Sequence, residues 1–462
     1  MPIDLTFLTD NQPVGVYGLG RTGQSAVEAL TNSGLDFVTW DDDADNRQLA
    51  EQNNWPITDL SDDLSEIGSL IVSSGMEINH PAVLQAQELD IPIYGDMALM
   101  ARAVRDDQTV IGITGTNGKS TTTALIGHIL NFSGRDVATG GNLNPPALSL
   151  PVHADIYVLE MSSYQLARLD TPLCDIAILL NLSPDHLDWH GGMDDYAAAK
   201  KNIFIPDDDQ IAVIGVDTPR TRDIADNLRQ SNNHTVIPVS VTDQLSDGIW
   251  VDGNGILHDP DNDAGIDLMA AIALPGKHNW QNIAHAYAVA KTMNVPTRVI
   301  EQAIHEFPGL IHRQQLVAEI DDIRFVNDSK ATNADATKYA LRARDNIFWI
   351  LGGMEKKGGL RGLEDEIGSV RKAYLIGQAA DEFSTWLSAN DIDHEACDIL
   401  DRAVEHAFLD ADQSTARPAT VLLSPACASF DQYDNFEQRG NHFIRLIKDL
   451  EQHKNDIREA AG

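Results

Sequence analysis

The segment GITGTNGKSTTT (112–123) follows the apolar run TVIGITG and opens a helical pattern. Glycines at 112, 115 and 118 would let backbone N–H groups curl around phosphates, and the helix N-terminus would add positive potential. In that arrangement Gly115, Thr116, Asn117 and Gly118 form the cradle. Lys119 reaches the β/γ-phosphates, and the Ser120 or Thr121 hydroxyl holds Mg²⁺. The strict phosphate-loop pattern places a glycine where Ile113 stands, so this is a variant of it. A glycine-rich turn that merely starts a helix is the bland alternative. The coincidence of strand, glycines, Lys-Ser and helix favours nucleotide binding. A second turn, GLGRTG (18–23), also follows a strand pattern, with Asp41 at the end of the next one. Such a turn holds a diphosphate at its helix N-terminus. Two such loops point to one nucleoside triphosphate and one nucleotide-linked substrate.

Further polar groups gather where strand patterns end. LEMSSYQL (159–166) places Glu160 at a strand terminus, where open α/β sheets bind ligands and a carboxylate can hold a metal beside phosphates. NLSPDHLDWHGGMDDYAAAK (181–200) concentrates Asp185, His186, Asp188 and His190, then Lys200 on a helix. Singly, each would pass for surface or capping chemistry; together at a strand end they favour His186 as a ligand. GKHNWQN (276–282) sets Asn279 and Asn282 at a helix start, as suited to capping as to binding. Arg313, NDSKATN (327–333), GGMEKKGG (352–359) and SPACASFDQYDNFEQRG (424–440) lie in polar loops after strands and offer cations and hydroxyls to anions.

The elements that must position these groups alternate. Short apolar runs at 14–18, 36–40, 69–74, 109–115, 155–161, 175–182, 347–353, 372–377 and 420–426 are separated by helical patterns. This predicts α/β layers on parallel sheets covered on both faces. Boundaries near 92–95 and 308–310 divide the chain into residues 1–94, 95–309 and 310–462. GIWVDGNGILHD (248–259) predicts a hairpin added to the central sheet. With 33 Lys+Arg against 70 Asp+Glu, the net charge of −37 excludes a general nucleic-acid binder. Three widely spaced cysteines with no CxxC suggest neither a disulfide framework nor a zinc site. The N-terminus lacks a secretory pattern and no apolar run is long enough to cross a membrane. A cytoplasmic protein that contacts no membrane is expected.

In order, TGTNGKST, LExSS, DHxD…YxxAK, GxHNxxN, HR, NDSKATN and SPACASFDQ…FEQRG resemble the Mur ligases over all three segments. The final segment and the GxGxxG start are most similar to the branch that adds D-glutamate. The resemblance implies a Rossmann-like N-terminal domain, a P-loop ATPase-like central domain and a Rossmann-like C-terminal domain that closes on ATP. It implies a monomeric, ATP-dependent amide ligase of peptidoglycan precursor synthesis. Its substrates would be UDP-N-acetylmuramoyl-L-alanine and D-glutamate, joined through an acyl phosphate. Lys119, Glu160, His186 and Lys200 would then be catalytic. Ser120, Glu160, His186 and Lys200, the last carbamylated by CO₂, would hold two Mg²⁺ ions. ATP would meet residues 115–121, Asn279, Asn282, Arg313 and Asp328. The UDP-substrate would meet Gly20, Arg21, Thr22, Asp41, Ser73 and Asn142. D-Glutamate would meet Lys330, Thr332, Lys356 (Lys357 stands beside it), Ser429, Phe430 and Phe436. An NAD(P)-dependent oxidoreductase would also account for GLGRTG, but it leaves GTNGKST and the acidic cluster without a role.

Overall fold

A computed structural model describes residues 2–8, 12–205, 209–231, 233–271, 273–274, 276–355 and 358–461. The chain forms two compact units, Met1–Ala270 with Lys277–His305, and Ala271–Gly276 with Glu306–Gly462. The first unit carries two sheets and the second carries one.

In the first unit the strands Phe37–Trp40, Val14–Tyr17, Ser69–Val72 and Ile93–Tyr94 lie in that order, all parallel. Every residue of Val14–Tyr17 and Ser69–Val72 is buried, as a strand covered on both faces requires. The second sheet has nine strands. Its centre is Thr109–Thr114, flanked by Ile156–Glu160 and Ile176–Leu179. After Thr109–Thr114 the chain fills one side, through Val137–Gly141 and Ile156–Glu160, and then crosses to Ile176–Leu179 on the other. That reversal opens a crevice at the strand C-termini, where α/β sheets place their ligands. The phosphate-loop segment, Glu160 and the 181–200 stretch all emerge there.

Beyond Ile176–Leu179 the sheet continues in parallel through Gln210–Gly215, His234–Ser240 and Ile249–Val251. Ile249–Val251 and Ile256–Asp259 then pair antiparallel across the 252–255 turn, the expected hairpin, and Asn262–Asp267 adds one more antiparallel strand.

The second unit is a six-stranded sheet in the order Gln315–Ile320, Ile323–Asn327, Ala419–Leu423, Ile347–Gly352, Val370–Ile376 and His394–Asp398. Only the first pair is antiparallel. Separate apolar cores fill its two faces, one around Phe325 and Phe408, the other around Trp349 and Phe383. Trp349 is fully buried and its indole N–H donates to the Ser424 carbonyl at 2.8 Å. No helix among the described residues is long and apolar enough to cross a membrane.

The turn after the first strand depends on two glycines. Gly18 has φ +93°, and Gly23 presses the first helix so close that a Cβ there would sit 1.8 Å from the Gly18 carbonyl oxygen. Gly23→Ala must therefore push helix and turn apart, at about 1–3 kcal/mol for this kind of overpacking. We expect a lower urea midpoint and faster amide exchange across 14–30. Wild-type values for both would show that the clamp is not needed.

Candidate functional site

The loop between Thr109–Thr114 and the helix Lys119–Phe132 is shaped by backbone that only glycine tolerates well. Gly115 has φ +152° and Gly118 has φ +85°. Asn181, at the end of the neighbouring strand, holds the loop like a clasp. Its carbonyl accepts the Thr116 N–H at 3.0 Å, its side-chain oxygen accepts the Asn117 N–H at 2.9 Å, and its amide donates to the Asn117 carbonyl at 3.2 Å. Asn282 comes from the helix Lys277–Thr292 and closes the other side. A Cβ at Gly118 would lie 2.1 Å from its Oδ1, which accepts the Thr122 hydroxyl at 3.3 Å; its amide donates to Asn279 at 3.0 Å. Asn282 thus braces the loop, and Asn279 holds Asn282 in turn. Ser120 is buried in the first turn of the helix and Thr121 is half-buried beside it.

Two lysines meet at this loop. Lys119 Nζ donates to the Gly115 and Thr116 carbonyls at 2.9 and 2.8 Å. Lys200, only 1% exposed, donates to the same Gly115 carbonyl at 2.9 Å and to the Thr114 hydroxyl at 3.3 Å. It lies 4.7 Å from the ring centre of Tyr196, whose hydroxyl shares a 3.0 Å hydrogen bond with Thr116. Burial, and next the Lys119 charge, lower the Lys200 pKa from 10.5 to about 7, while Asp185 and Glu160 pull the other way.

Glu160 ends its strand buried. Its Oε1 accepts the Asn142 amide at 2.9 Å, and its Oε2 is buried with no hydrogen-bond partner among the described residues. Leaving a buried carboxylate oxygen without a donor is costly, and a hard divalent cation is the partner that such an oxygen suits. His186 has φ +52° at the start of the short helix Leu187–His190, with its imidazole 3.4 Å from the Asp185 carboxylate and its ring 5.0 Å from that of Tyr164. His190 is held differently, sharing a 2.9 Å hydrogen bond with Ser163 and stacking on Tyr164. Burial, then the Lys200 and His186 charges, lower its pKa.

A cleft of about 250 Å³ lies next to these groups in the first unit. It is lined by Gly20, Arg21, Thr22, Ser73, Ser74, Gly75, Gly141, Asn142, Pro146 and Gln165. Five of the six residues expected for a sugar-nucleotide are therefore brought together around one opening. The helix Arg21–Asn32 begins at this cleft, so its first N–H groups suit a diphosphate. Asn142 belongs to the cleft and, through its hydrogen bond, to Glu160. Asp41 is not in the lining. Its carboxylate accepts N–H groups from Leu19 at 2.5 Å and Asp43 at 2.8 Å, so it fixes the glycine turn from behind.

Sequence reasoning passed over Ser74, Gly75, Gly141, Pro146 and Gln165. Gln165 is fixed by a capping box with Ser162 and by donating at 2.7 Å to the fully buried Asp96. The available signal was the S-x-x-Q spacing inside the SSYQ already noted.

In the second unit the expected residues cluster at strand ends. Arg313 sits between His312 (φ +61°) and Gln314 (φ +46°). Asp328 accepts the Ser424 hydroxyl at 2.8 Å and the Gln314 N–H at 3.0 Å. Burial nevertheless raises its pKa to about 7. Lys330 lies 5.5 Å from the Phe436 ring centre, and its carbonyl accepts the Thr332 N–H at 2.8 Å. Ser429 is buried, and Phe430 beside it is 65% exposed. Lys356 and Lys357 lie outside the described residues. Arg439, quoted in FEQRG but given no role, ties these loops together. It donates to the Ser329 hydroxyl at 3.0 Å and to the Ser329 and Cys427 carbonyls at 2.9 and 3.0 Å.

Known proteins are similar to this chain in sequence and fold. A family model described as the Mur ligase middle domain matches residues 113–290. The UDP-N-acetylmuramoylalanine--D-glutamate ligase of Rhodospirillum rubrum is 44% identical over 455 residues, covering 95% of each chain. That of Caulobacter sp. is 42% identical, covering 96% of this chain and 97% of its own. Among solved structures, the UDP-N-acetylmuramate-alanine ligase of Thermotoga maritima matches with TM-score 0.58 at 14% identity, over 95% of this chain and all of that one. MurF from Acinetobacter baumannii matches with TM-score 0.52 at 18% identity, over 84% of this chain and 86% of that one. At these identities the structural matches speak for the fold.

The lowered Lys200 pKa has a consequence for stability. Between pH of about 7 and 10.5 the native chain binds fewer protons at this residue than the unfolded chain, so its contribution to stability rises with pH across that window. Lys200→Met lacks the buried cation. Its urea midpoint, relative to wild type, should be most favourable near pH 7 and lose ground steadily toward pH 10. A difference that does not vary with pH would place the lysine in a better solvated setting.

Proposed function

This chain is a member of the Mur ligases, among the UDP-N-acetylmuramoylalanine--D-glutamate ligases, and from that premise we propose how its residues make the amide. It joins the L-alanyl carboxylate of UDP-N-acetylmuramoyl-L-alanine to the amine of D-glutamate and converts ATP to ADP and phosphate. The observation that carries this reading is the meeting of Lys119, Lys200 and the unpartnered Glu160 oxygen around one phosphate loop, with Asn142 linking Glu160 to the neighbouring cleft.

A carboxylate resists attack because oxide is its leaving group. Transfer of the γ-phosphoryl of ATP to it breaks the β–γ bridge, gives an acyl phosphate and releases ADP. The D-glutamate amine then adds to the acyl carbon, loses a proton, and phosphate departs. Such chemistry asks a protein mainly for positioning and charge neutralisation. The N–H groups of residues 115–118 hold the triphosphate. Lys119 turns from its loop carbonyls to the β/γ-phosphates, and the Ser120 and Thr121 hydroxyls face the metal side. Asn279 and Asn282 keep the loop in shape beside the adenosine.

Ser120, Glu160, His186 and a carbamylated Lys200 would hold Mg²⁺, which supplies charge neutralisation at the phosphoryl and acyl oxygens. A pKa near neutrality leaves much of Lys200 as free amine, the form that adds CO₂ and loses a proton to become a carbamate. That change replaces a cation beside the loop by an anionic ligand.

In the cleft, Gly20, Arg21, Thr22, Ser73 and Asn142 take the UDP-sugar, and Asp41 acts through the turn it fixes. Residues 310–462 act as a third domain that closes on ATP. It brings Arg313 and Asp328 to the nucleotide, and Lys330, Thr332, Lys356, Ser429, Phe430 and Phe436 to D-glutamate. The two carboxylates of that amino acid call for cationic and hydroxyl donors. The enzyme works as a monomer in the cytoplasm.

Phosphate release measured with D-glutamate, L-alanine, L-lysine and meso-diaminopimelate side by side should depend on D-glutamate. Equal turnover with L-alanine would assign the chain to a sister ligase. Within that assay Lys119→Ala should lose roughly 10³-fold or more in kcat, as single charge-stabilising groups do, with UDP-substrate affinity near normal.

Lys200→Ala should be nearly inactive and partly rescued by acetate or formate, which restore an anion where the carbamate stood. Full activity without rescue would refute the carbamate.

A further inference from the structure

The second unit contains a group of potential ligands remote in sequence from every motif above. The strand His394–Asp398 forms the outer edge of its sheet, and the helix Leu400–Gln413 follows directly. Glu395 and Cys397 flank Ala396 on the strand. Cys397 is fully buried in the core that Leu400, Ala403, Val404 and Ala407 of that helix help to form. His406, on the same helix, directs Nδ1 to within 2.7 Å of Glu395 Oε1. One ligand atom from each of Glu395, Cys397 and His406 lies within 4.8 Å of the other two. This is the only such group of three His, Cys, Asp or Glu side chains among the described residues.

We propose that Glu395, Cys397 and His406 bind a borderline-soft divalent cation of the Zn²⁺ type, with water in the fourth position. The donor set is one thiolate, one imidazole and one carboxylate, which suits tetrahedral Zn²⁺ and not Mg²⁺ or Ca²⁺. Glu395 and His406 are about one-third exposed, which leaves a path for the ion and room for the water. The supporting groups are also in place. Lys372 donates to Glu395 Oε2 at 3.0 Å and to Asp410 at 2.8 Å, so it can orient Glu395 while Oε1 turns to the metal. Tyr374 holds Asp410 from the other side at 2.7 Å. The sheet register shifts between Leu375 and Ile376, opposite Ala396 and Asp398, leaving Cys397 unpaired in a bulge, a device that re-aims side chains. Burial raises the Cys397 pKa to about 11, so the free chain carries a thiol. Binding must then replace the S–H bond by a metal–sulfur bond and release one proton per ion.

Cys-only spacing could not reveal this site, because its ligands come from a strand pair and a helix residue nine positions on.

The test uses the full chain in excess Mg²⁺, titrated with Co²⁺ as a spectroscopic substitute for Zn²⁺. Expected are one Co²⁺ per chain with a thiolate-to-cobalt charge-transfer band, release of about one proton, and displacement of the band by Zn²⁺. Cys397→Ser should abolish the band. His406→Gln, at a partly exposed position, should weaken binding at least ~10-fold. Far-ultraviolet circular dichroism checks that both variants are folded. Co²⁺ taken up without the band would mean an oxygen-rich site such as the one around Glu160, and would overturn the proposal. So would a band that survives in Cys397→Ser, or no uptake at micromolar Co²⁺.

Discussion

A single backbone carbonyl, that of Gly115, accepts from two lysine ammonium groups, and the catalytic half of the molecule is arranged around that fact. Two cations that close repel each other, and here one of them is almost wholly removed from water. The arrangement lasts only because the loop carbonyls and the Thr114 hydroxyl supply acceptors, and because Glu160 and Asp185 lie near enough to be felt. Such a pair resolves in one of two ways: an anion arrives, or one lysine stops being a cation. The reaction proposed above uses both. In the proposed reaction the triphosphate would draw Lys119 outward and CO₂ would convert Lys200, each relieving the same repulsion.

Asn142 makes the second constraint. Its amide holds one oxygen of Glu160, and its side chain lines the cleft in which the helix Arg21–Asn32 begins. One residue thus ties the Glu160 carboxylate to the wall of the cleft. The strand order explains why this is possible. Val137–Gly141 and Ile156–Glu160 are neighbours, and Gly141, with φ +104°, lets the backbone pass so close to Glu160 that a Cβ there would lie 2.4 Å from the Glu160 carbonyl. Any larger residue would part the cleft from Glu160.

Where the sequence was legible, the cause was local. The runs at 14–18, 109–115, 155–161 and 347–353 became strands because they are apolar on both faces, and 252–255 became a turn because its Asp and Gly residues favour one. Gly115, Gly118 and Lys119 were readable because phosphate loops tie residue type to backbone position, whereas Lys200, on a separate helix, was reached through the resemblance of YAAAK to the family. His394–Asp398 was not readable, since HEACD is half polar and sits at an edge where only one neighbour requires it to be a strand. Gln315–Ile320 escaped for the same reason. Asp41 illustrates a different gap. A carboxylate after the second strand has the spacing of a ribose ligand, yet here it accepts the N–H groups of its own turn, and spacing alone does not distinguish the two. Arg439 escaped because its guanidinium joins a loop near in sequence, at Cys427, to Ser329 and Gly352, which no window along the chain can display.

The charge of −37 sits oddly with three anionic substrates, and the resolution lies in scale. Exposed carboxylates act through water and ions, and their influence fades within about 10 Å at ordinary ionic strength. The Gly115 lysines and the helix termini at both loops act at contact distance and, for Lys200, out of water, where a charge interaction is several times stronger. A substrate therefore meets a weak, screened repulsion at long range and a strong, unscreened attraction once inside. The same reasoning explains why the acidic surface carries little information about the reaction: its charges are screened before they reach the phosphate loop.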